Sequence, residues 1–178
     1  MLFVGIDPGI RGGISILDTD RQILWATEMP VINHARSALE RGTREYKKPK
    51  KPEYDIPRIA YLLRGSHRVC IEAVHSMPGQ GVSSTFLFGK GYGILLGVIG
   101  TLGIDSTSVA PRTWKKAYYL SADKNVSRAR ASEIFPHCGA FWKLKKHDGL
   151  AEAALLAHYI CGIQDNLDLV VPGDISNL

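Results

Sequence analysis

The sequence predicts an α/β domain built on a mixed five-stranded sheet with helices on both faces. Three observations carry that prediction. Residues 2–7, 12–18 and 23–29 are short β-prone runs separated by Gly12-Gly13 and by Thr19-Asp20-Arg21. Two later β-prone runs, residues 69–74 and 104–110, alternate with stretches of helical periodicity. The length of 178 residues suits one domain with a full core, here residues 1–178. Strands first, then strands and helices in alternation, is the pattern of a mixed sheet.

Taken in order, the chain opens Met-Leu-Phe-Val-Gly-Ile-Asp-Pro-Gly, a β-forming run that ends on a carboxylate, Asp7, and turns on Pro8-Gly9. Three such runs in succession predict an antiparallel meander. Residues 31–54 are polar, basic and proline-containing, and 33–54 read as a loop or insert. Asp55 then precedes Pro57 and the apolar rhythm Ile56, Ile59, Ala60, Leu62, Leu63, a helix with an acidic N-terminus stopped at Gly65. Residues 69–74 form a continuous apolar strand interrupted by Glu72, and 76–82 a loop. Ser83 to about Leu102 is a long helix with Gly89, Gly93 and Gly97 on one face. Each glycine weakens a helix by about 1 kcal/mol relative to alanine, so three on one face predict a close approach there. After the 104–110 strand, Pro111 opens a short helix to Leu120, residues 124–135 make another ended by Pro136, and residues 147–161 the last, closed by Gly162. Residues 164–178 read as a C-terminal tail. A meander followed by strand–helix units matches the ribonuclease H-like arrangement.

The formal net charge of +5 and pI of about 9.2 point to an anionic partner such as nucleic acid. The surplus is local: Arg36, Arg41, Arg44, Lys47, Lys48, Lys50 and Lys51 stand against Glu40 and Glu45. That run is read either as a solvated loop or as a phosphate-binding segment. Three cysteines with no C-x-x-C spacing fit a reduced, cytoplasmic compartment. The N-terminus has a strand pattern rather than that of a leader. The most apolar later stretch, residues 91–104, is shorter than a bilayer span, so no membrane role is expected. The spacings His137-Cys138 and His158…Cys161 fit no common zinc pattern. Residues 88–93, Phe-Gly-Lys-Gly-Tyr-Gly, lack the phosphate-loop pattern and read as helix packing, with a dimer seam as one use. Trp114, beside two lysines, reads as a core anchor ahead of a base-stacking residue.

Four carboxylates from distant parts of the chain are the candidates for chemistry. Asp7 ends the first strand, and by itself is equally a turn residue. Glu72 lies among apolar neighbours, where an ionised carboxylate costs several kcal/mol unless it is paired; a metal ion or an arginine would serve. Asp148 and Glu152 are four apart, on one helix face, where like charges repel unless a cation lies between them. Asp148 also reads as a helix cap, and Glu152 as an exposed helical acid. Carboxylates without soft ligands suit magnesium or manganese. Two such ions about 3.5–4 Å apart can drive phosphodiester hydrolysis.

These residues resemble the RuvC-type Holliday junction resolvases, most of all the short RuvC-like proteins of bacteriophages. The resemblance runs along most of the chain. Gly5-Ile6-Asp7-Pro8-Gly9 with Gly12-Gly13 is similar to the first motif of that family, Val69-Cys70-Ile71-Glu72 to its second acidic strand, and 147–153, His-Asp-Gly-Leu-Ala-Glu-Ala, to its C-terminal metal-binding helix. Residues 111–116, Pro-Arg-Thr-Trp-Lys-Lys, with 121–124, Ser-Ala-Asp-Lys, resemble the region of its catalytic lysines; Lys115 and Lys124 are the closest matches, with Lys116 able to replace Lys115. The resemblance implies a ribonuclease H-like fold, a homodimer, divalent metal, and symmetric cutting of four-way junctions. Two departures stand out. The last two acids are four apart rather than three, which brings in His147 as a ligand or proton shuttle beside or in place of Asp148. The loop after Glu72 lacks the aromatic wedge of the cellular enzymes, leaving Met77 or His75 at that place.

The expectation is therefore a metal-dependent endonuclease of Holliday junctions or other branched DNA. Asp7, Glu72, Asp148 and Glu152 are the metal ligands, two Mg2+ or Mn2+ ions the cofactors, and Lys115, Lys116, Lys124, Arg44, Lys47, Lys48, Lys50 and Lys51 the DNA-binding residues. The alternatives are a ribonuclease acting on RNA or hybrids, a catalytically silent DNA-binding module, and an actin-like nucleotide-binding fold, which needs two domains where this chain has length for one.

Overall fold

A strand presents alternate side chains to opposite faces of its sheet, so a sheet whose three central strands are mostly buried needs a cover on each side. The computed structural model, which describes residues 1–32, 52–76, 79–121 and 124–169, supplies both. In chain order the elements are β1 (Phe3–Asp7), β2 (Gly13–Leu17), β3 (Ile23–Glu28), β4 (Val31–Ile32), β5 (Glu53–Tyr54), α1 (Ile56–Leu63), β6 (Arg68–Glu72), α2 (Val82–Thr101), β7 (Asp105–Val109), α3 (Pro111–Ala117), α4 (Lys124–Ile134), two short 3-10 turns (Pro136–Trp142 and Lys145–His147) and α5 (Asp148–Leu169). The main sheet has the order β3-β2-β1-β6-β7. Its first three strands form the expected antiparallel meander, and β6 and β7 extend it in parallel from β1.

Alternation sorts the core into two layers. Val4, Ile6, Ile14, Ile16, Val69 and Ile71 face α1 and α2, packing on Ile59, Leu63, Leu95 and Ile99. Phe3, Leu17, Cys70 and Val109 face the other way, onto Trp114 of α3, Ala131 of α4 and the apolar run of α5. The mixed five-stranded sheet with helices on both faces is thus the fold the sequence predicts.

The helix α5 is buried on nearly every side from Leu150 to Ala157, with Glu152 the single charged residue in that run. It can lie this deep because β1 carries a glycine beneath it. A Cβ on Gly5 would stand 2.0 Å from the Ala153 carbonyl oxygen and 2.3 Å from the Ala157 nitrogen. Alanines at 151, 153, 154 and 157 complete the close fit.

Several expectations change. Glu53 and Tyr54, assigned by sequence to the basic insert, form β5 and pair with β4, with Val31 opposite Tyr54. Tyr54 is apolar enough to be buried, and its hydroxyl donates to the Pro8 carbonyl oxygen at 2.6 Å. The rest of that insert, residues 33–51, lies outside the described residues. The last helix does not stop at Gly162 and the tail does not begin at 164: α5 runs on to Leu169, tied by the ion pair of Arg21 with Asp165 and by Arg68 donating to Gln164 at 2.6 Å. Among the described residues nothing fills the glycine face of α2: a Cβ on Gly89, Gly93 or Gly97 would enter open space, and the close approach falls instead at Gly91, where a Cβ would stand 2.5 Å from the Tyr54 ring. The α2 helix spans 20 residues and is apolar enough by length and composition to cross a membrane, a longer apolar span than residues 91–104 suggested; here it lies on the sheet through Gly91, Leu95, Val98 and Ile99. Asp55 caps α1 as expected, accepting from the Arg58 nitrogen at 3.1 Å, and Gly65 ends it at φ +80°.

Two consequences can be measured. Gly5→Ala places a methyl group inside helix backbone, so its cost in urea unfolding is expected at or above about 3 kcal/mol, the upper end for overpacking; a change within about 0.5 kcal/mol would show that α5 does not rest on β1 at this point. His158 of α5 lies against the Tyr118 hydroxyl at 2.8 Å and near Arg21. Burial, then Arg21 and Arg130, hold its imidazole below the ordinary value, with Asp165 opposing. The unfolded chain therefore takes up this proton first, and the stability carried by the neutral ring is complete above about pH 6.5 and lost as pH falls towards the folded pKa. His158→Gln is expected to flatten the fall of the urea midpoint between about pH 7.5 and 5.5; parallel falls in both proteins would contradict it.

Candidate active site

The parallel pairing of β1 with β6 sets Ile6 opposite Ile71, so Asp7 and Glu72 leave neighbouring strands at the same edge of the sheet. Both belong to the face that α5 covers, by alternation from Phe3 and Gly5 on β1 and from Cys70 on β6. This corrects the placement of Glu72 inside a longer strand: β6 ends on it, and the side chain is half-buried rather than sunk among apolar neighbours. The edge formed by the carboxyl ends of parallel strands is where open α/β sheets bind ligands.

The first turn of α5 descends onto this edge. A Cβ on Gly149 would lie 2.5 Å from Asp7 Oδ2 and 2.9 Å from the Arg11 carbonyl oxygen, so only a glycine admits the Asp7 carboxylate to the helix N-terminus. A negative charge there is favoured by the helix dipole. Asp148 is the residue before it, opening α5, and Glu152 follows one turn later. Glu152 is 7% exposed, and its Oε1 accepts from Lys115 Nζ at 2.8 Å and from Ser127 Oγ at 2.9 Å. Its burial is thereby compensated by a full opposite charge and a hydroxyl; the reading as an exposed helical acid is overturned. Trp114, fully buried as the core reading expects, donates its indole N–H to Glu72 Oε1 at 2.9 Å. Consecutive residues of α3 thus reach two of the four acids.

Asp7, Glu72, Asp148, Glu152 and Lys115 are therefore brought to one edge of the sheet, from β1, β6, α5 and α3. Lys116 is exposed on α3, Lys124 is the first residue of α4, and His75 is exposed in the segment after β6. Met77, Arg44, Lys47, Lys48, Lys50 and Lys51 lie outside the described residues. The paired β4 and β5 bring the two ends of the 33–51 segment together, and the Tyr54 bond to Pro8 ties that base to the loop after Asp7. Burial, then the Asp7 charge, push the Tyr54 phenol up to about 12, so it keeps its proton and stays a donor.

Glu28, which the sequence did not single out, belongs to the same face. It pairs with Gly13, which pairs with Asp7, giving one cross-strand row. Its Oε1 lies 3.4 Å from His147 Nε2 and 3.6 Å from Lys146 Nζ, while His147 Nδ1 is buried without a hydrogen-bond partner among the described residues. Only strand register exposes this relation, and likewise only packing brings Ser127 to Glu152.

The donors are hard oxygens with one imidazole beside them, a set that suits Mg2+ or Mn2+ in kind. Among the described residues, no three histidines, cysteines or acids are gathered closely enough to enclose one ion. The pairs His137-Cys138 and His158…Cys161 form no such group either; all three cysteines are free thiols.

No family model matches the sequence, and no curated protein does. Solved structures do. The chain is similar to that of Thermus thermophilus RuvC in complex with a Holliday junction substrate, at 16% identity and a TM-score of 0.62, over 93% of this chain and 96% of that one. A second Thermus thermophilus RuvC structure is similar at 15% identity and a TM-score of 0.55, over 93% and 97%. The likeness establishes the ribonuclease H-like fold of this chain.

Proposed function

We propose that the protein is a metal-dependent endonuclease that resolves Holliday junctions or other branched DNA by phosphodiester hydrolysis. One observation carries the reading: acids from β1, β6 and α5 share the carboxyl edge of a parallel strand pair with a half-buried lysine, in a chain of net charge +5. The fold shared with a junction-bound RuvC supports it.

Asp7, Glu72 and Asp148, with Glu152 and His147 beside them, are the residues that would hold divalent metal, as two Mg2+ or Mn2+ ions. Such ions, when bound, supply Lewis-acid activation of water and of the scissile phosphate. The chain's own residues position and neutralise. Lys115, held at Glu152, places a positive charge at this edge, where it can stabilise charge developing on a phosphate. Lys116 and Lys124, and Arg44, Lys47, Lys48, Lys50 and Lys51 in the basic segment, hold flanking phosphates. His75 or Met77 is the residue that would enter the junction as a wedge. A second copy seated on the exposed apolar side of α2, where Val82, Phe86 and Leu96 are exposed, would make the homodimer that symmetric cutting needs. The free thiols fit a cytoplasmic site of action.

Incubation with labelled four-way junction, fork, linear duplex and RNA–DNA hybrid, with Mg2+ or Mn2+, tests the reading. Junction cleavage that stops with chelator is expected, with Glu72→Gln cutting about 10²–10³-fold more slowly while still binding the junction. Cleavage unaffected by Glu72→Gln removes the assigned site, and cleavage of the hybrid alone transfers the activity to RNA. Gly149→Ala is expected to displace the Asp7 carboxylate and lower the cleavage rate about 10²-fold with a smaller effect on junction affinity. An unchanged rate would separate Asp7 from the chemistry.

A further inference from the structure

The two hydrogen bonds from α3 to the acids differ in kind. Lys115 brings a full charge to Glu152, whereas Trp114 brings a neutral N–H to Glu72. A cation beside a carboxylate orients it and also neutralises it. An indole N–H orients it without adding a charge of its own, and it can neither ionise nor accept a proton. The indole itself has little room to move: Trp114 is 0% exposed, meets Tyr118 edge-on at a centroid distance of 6.5 Å, and sits in the core layer under α5. Glu72, by contrast, ends its strand half-buried with three side-chain torsions to settle.

We propose that Trp114 is the positioning residue for Glu72, its indole N–H holding Oε1 so that the carboxylate meets a divalent cation in one orientation. The proposal rests on the nuclease reading for its purpose, but metal binding can be measured without cleavage. Partners of this kind, one bond removed from a metal, commonly contribute 10–100-fold to its affinity. A buried phenylalanine at 114 would retain most of the packing and lose the donor.

The experiment is a titration of Mn2+ by electron paramagnetic resonance in the wild type, Trp114→Phe, Glu72→Gln and the double variant. Trp114→Phe is expected to weaken Mn2+ about 10–100-fold when Glu72 is present, and to add nothing in the Glu72→Gln background. Unchanged Mn2+ affinity in Trp114→Phe, or an equal weakening in both backgrounds, overturns the proposal, the second by showing a general packing effect. A second measurement leaves residue 114 in place. Trp25, Trp114 and Trp142 give three indole cross-peaks in a 15N-labelled sample. The Trp114 peak is expected to shift with Mg2+ in the wild type and to lose that response in Glu72→Gln; a peak indifferent to Mg2+ in the wild type overturns the proposal even where Trp114→Phe does not fold. If the Mn2+ coupling holds and no branched DNA is cut, the nuclease reading falls and the positioning role stands. If the junction is cut and neither Mn2+ affinity nor rate changes in Trp114→Phe, the reverse is true.

Discussion

The contact between Gly5 and the backbone of α5 governs this molecule. With no side chain at residue 5, the helix comes within 2.0–2.3 Å of where a Cβ would stand. The placements that α5 itself makes at the acidic edge follow from that depth. One turn towards its N-terminus the helix presents Gly149 to Asp7, and beside it Leu150 to Gly13, two further positions where a Cβ would fall within 3 Å of its neighbours. A helix a few ångströms higher would leave Asp7 in solvent and Glu152 out of reach of α3. The small residues of β1, β2 and α5 form one packing system, and the carboxylates are arranged on its rim.

Charge imposes the second constraint. Carboxylates on a sheet edge under a buried helix lose hydration and need compensation. The fold provides it unevenly: Lys115 and Ser127 for Glu152, the α5 N-terminus for Asp7, a neutral indole for Glu72, and Lys146 with His147 at Glu28. The side that α5 covers is therefore both a hydrophobic layer and a set of oriented charges. Its opposite, the layer of α1 and α2, is almost wholly apolar inside and leaves an apolar surface outside. The polar groups thus gather on one face of the sheet and the exposed apolar surface lies over the other.

Tyr54 reaches across 46 positions of sequence to the loop after the first acid. Its ring closes over Gly91 of α2, and its hydroxyl reaches the Pro8 carbonyl beside Asp7. The base of the most basic segment is thereby anchored to the loop after the first acid.

The sequence by itself determined the strands and most helices, because period-two and 3.6-residue patterns are local. The Asp55 cap, the Gly65 stop and the meander turns were legible for the same reason. It also supplied the four acids as suspects, since a carboxylate in an apolar strand or helix is conspicuous wherever the chain goes. What it left open was pairing. Glu28 joins Asp7 only through register, and Ser127 and Lys115 meet at Glu152 only once α4 and α3 pack on α5. The glycines of α2 misled because a small-residue stripe looks alike whether a neighbour fills it or nothing does. The continuation of α5 past Gly162 was likewise hidden, since a distant arginine at Asp165 and another at Gln164 outweigh a local helix-breaking tendency. Local patterns determine what each segment is; only long-range packing decides which charges become neighbours, and the site consists of those neighbours.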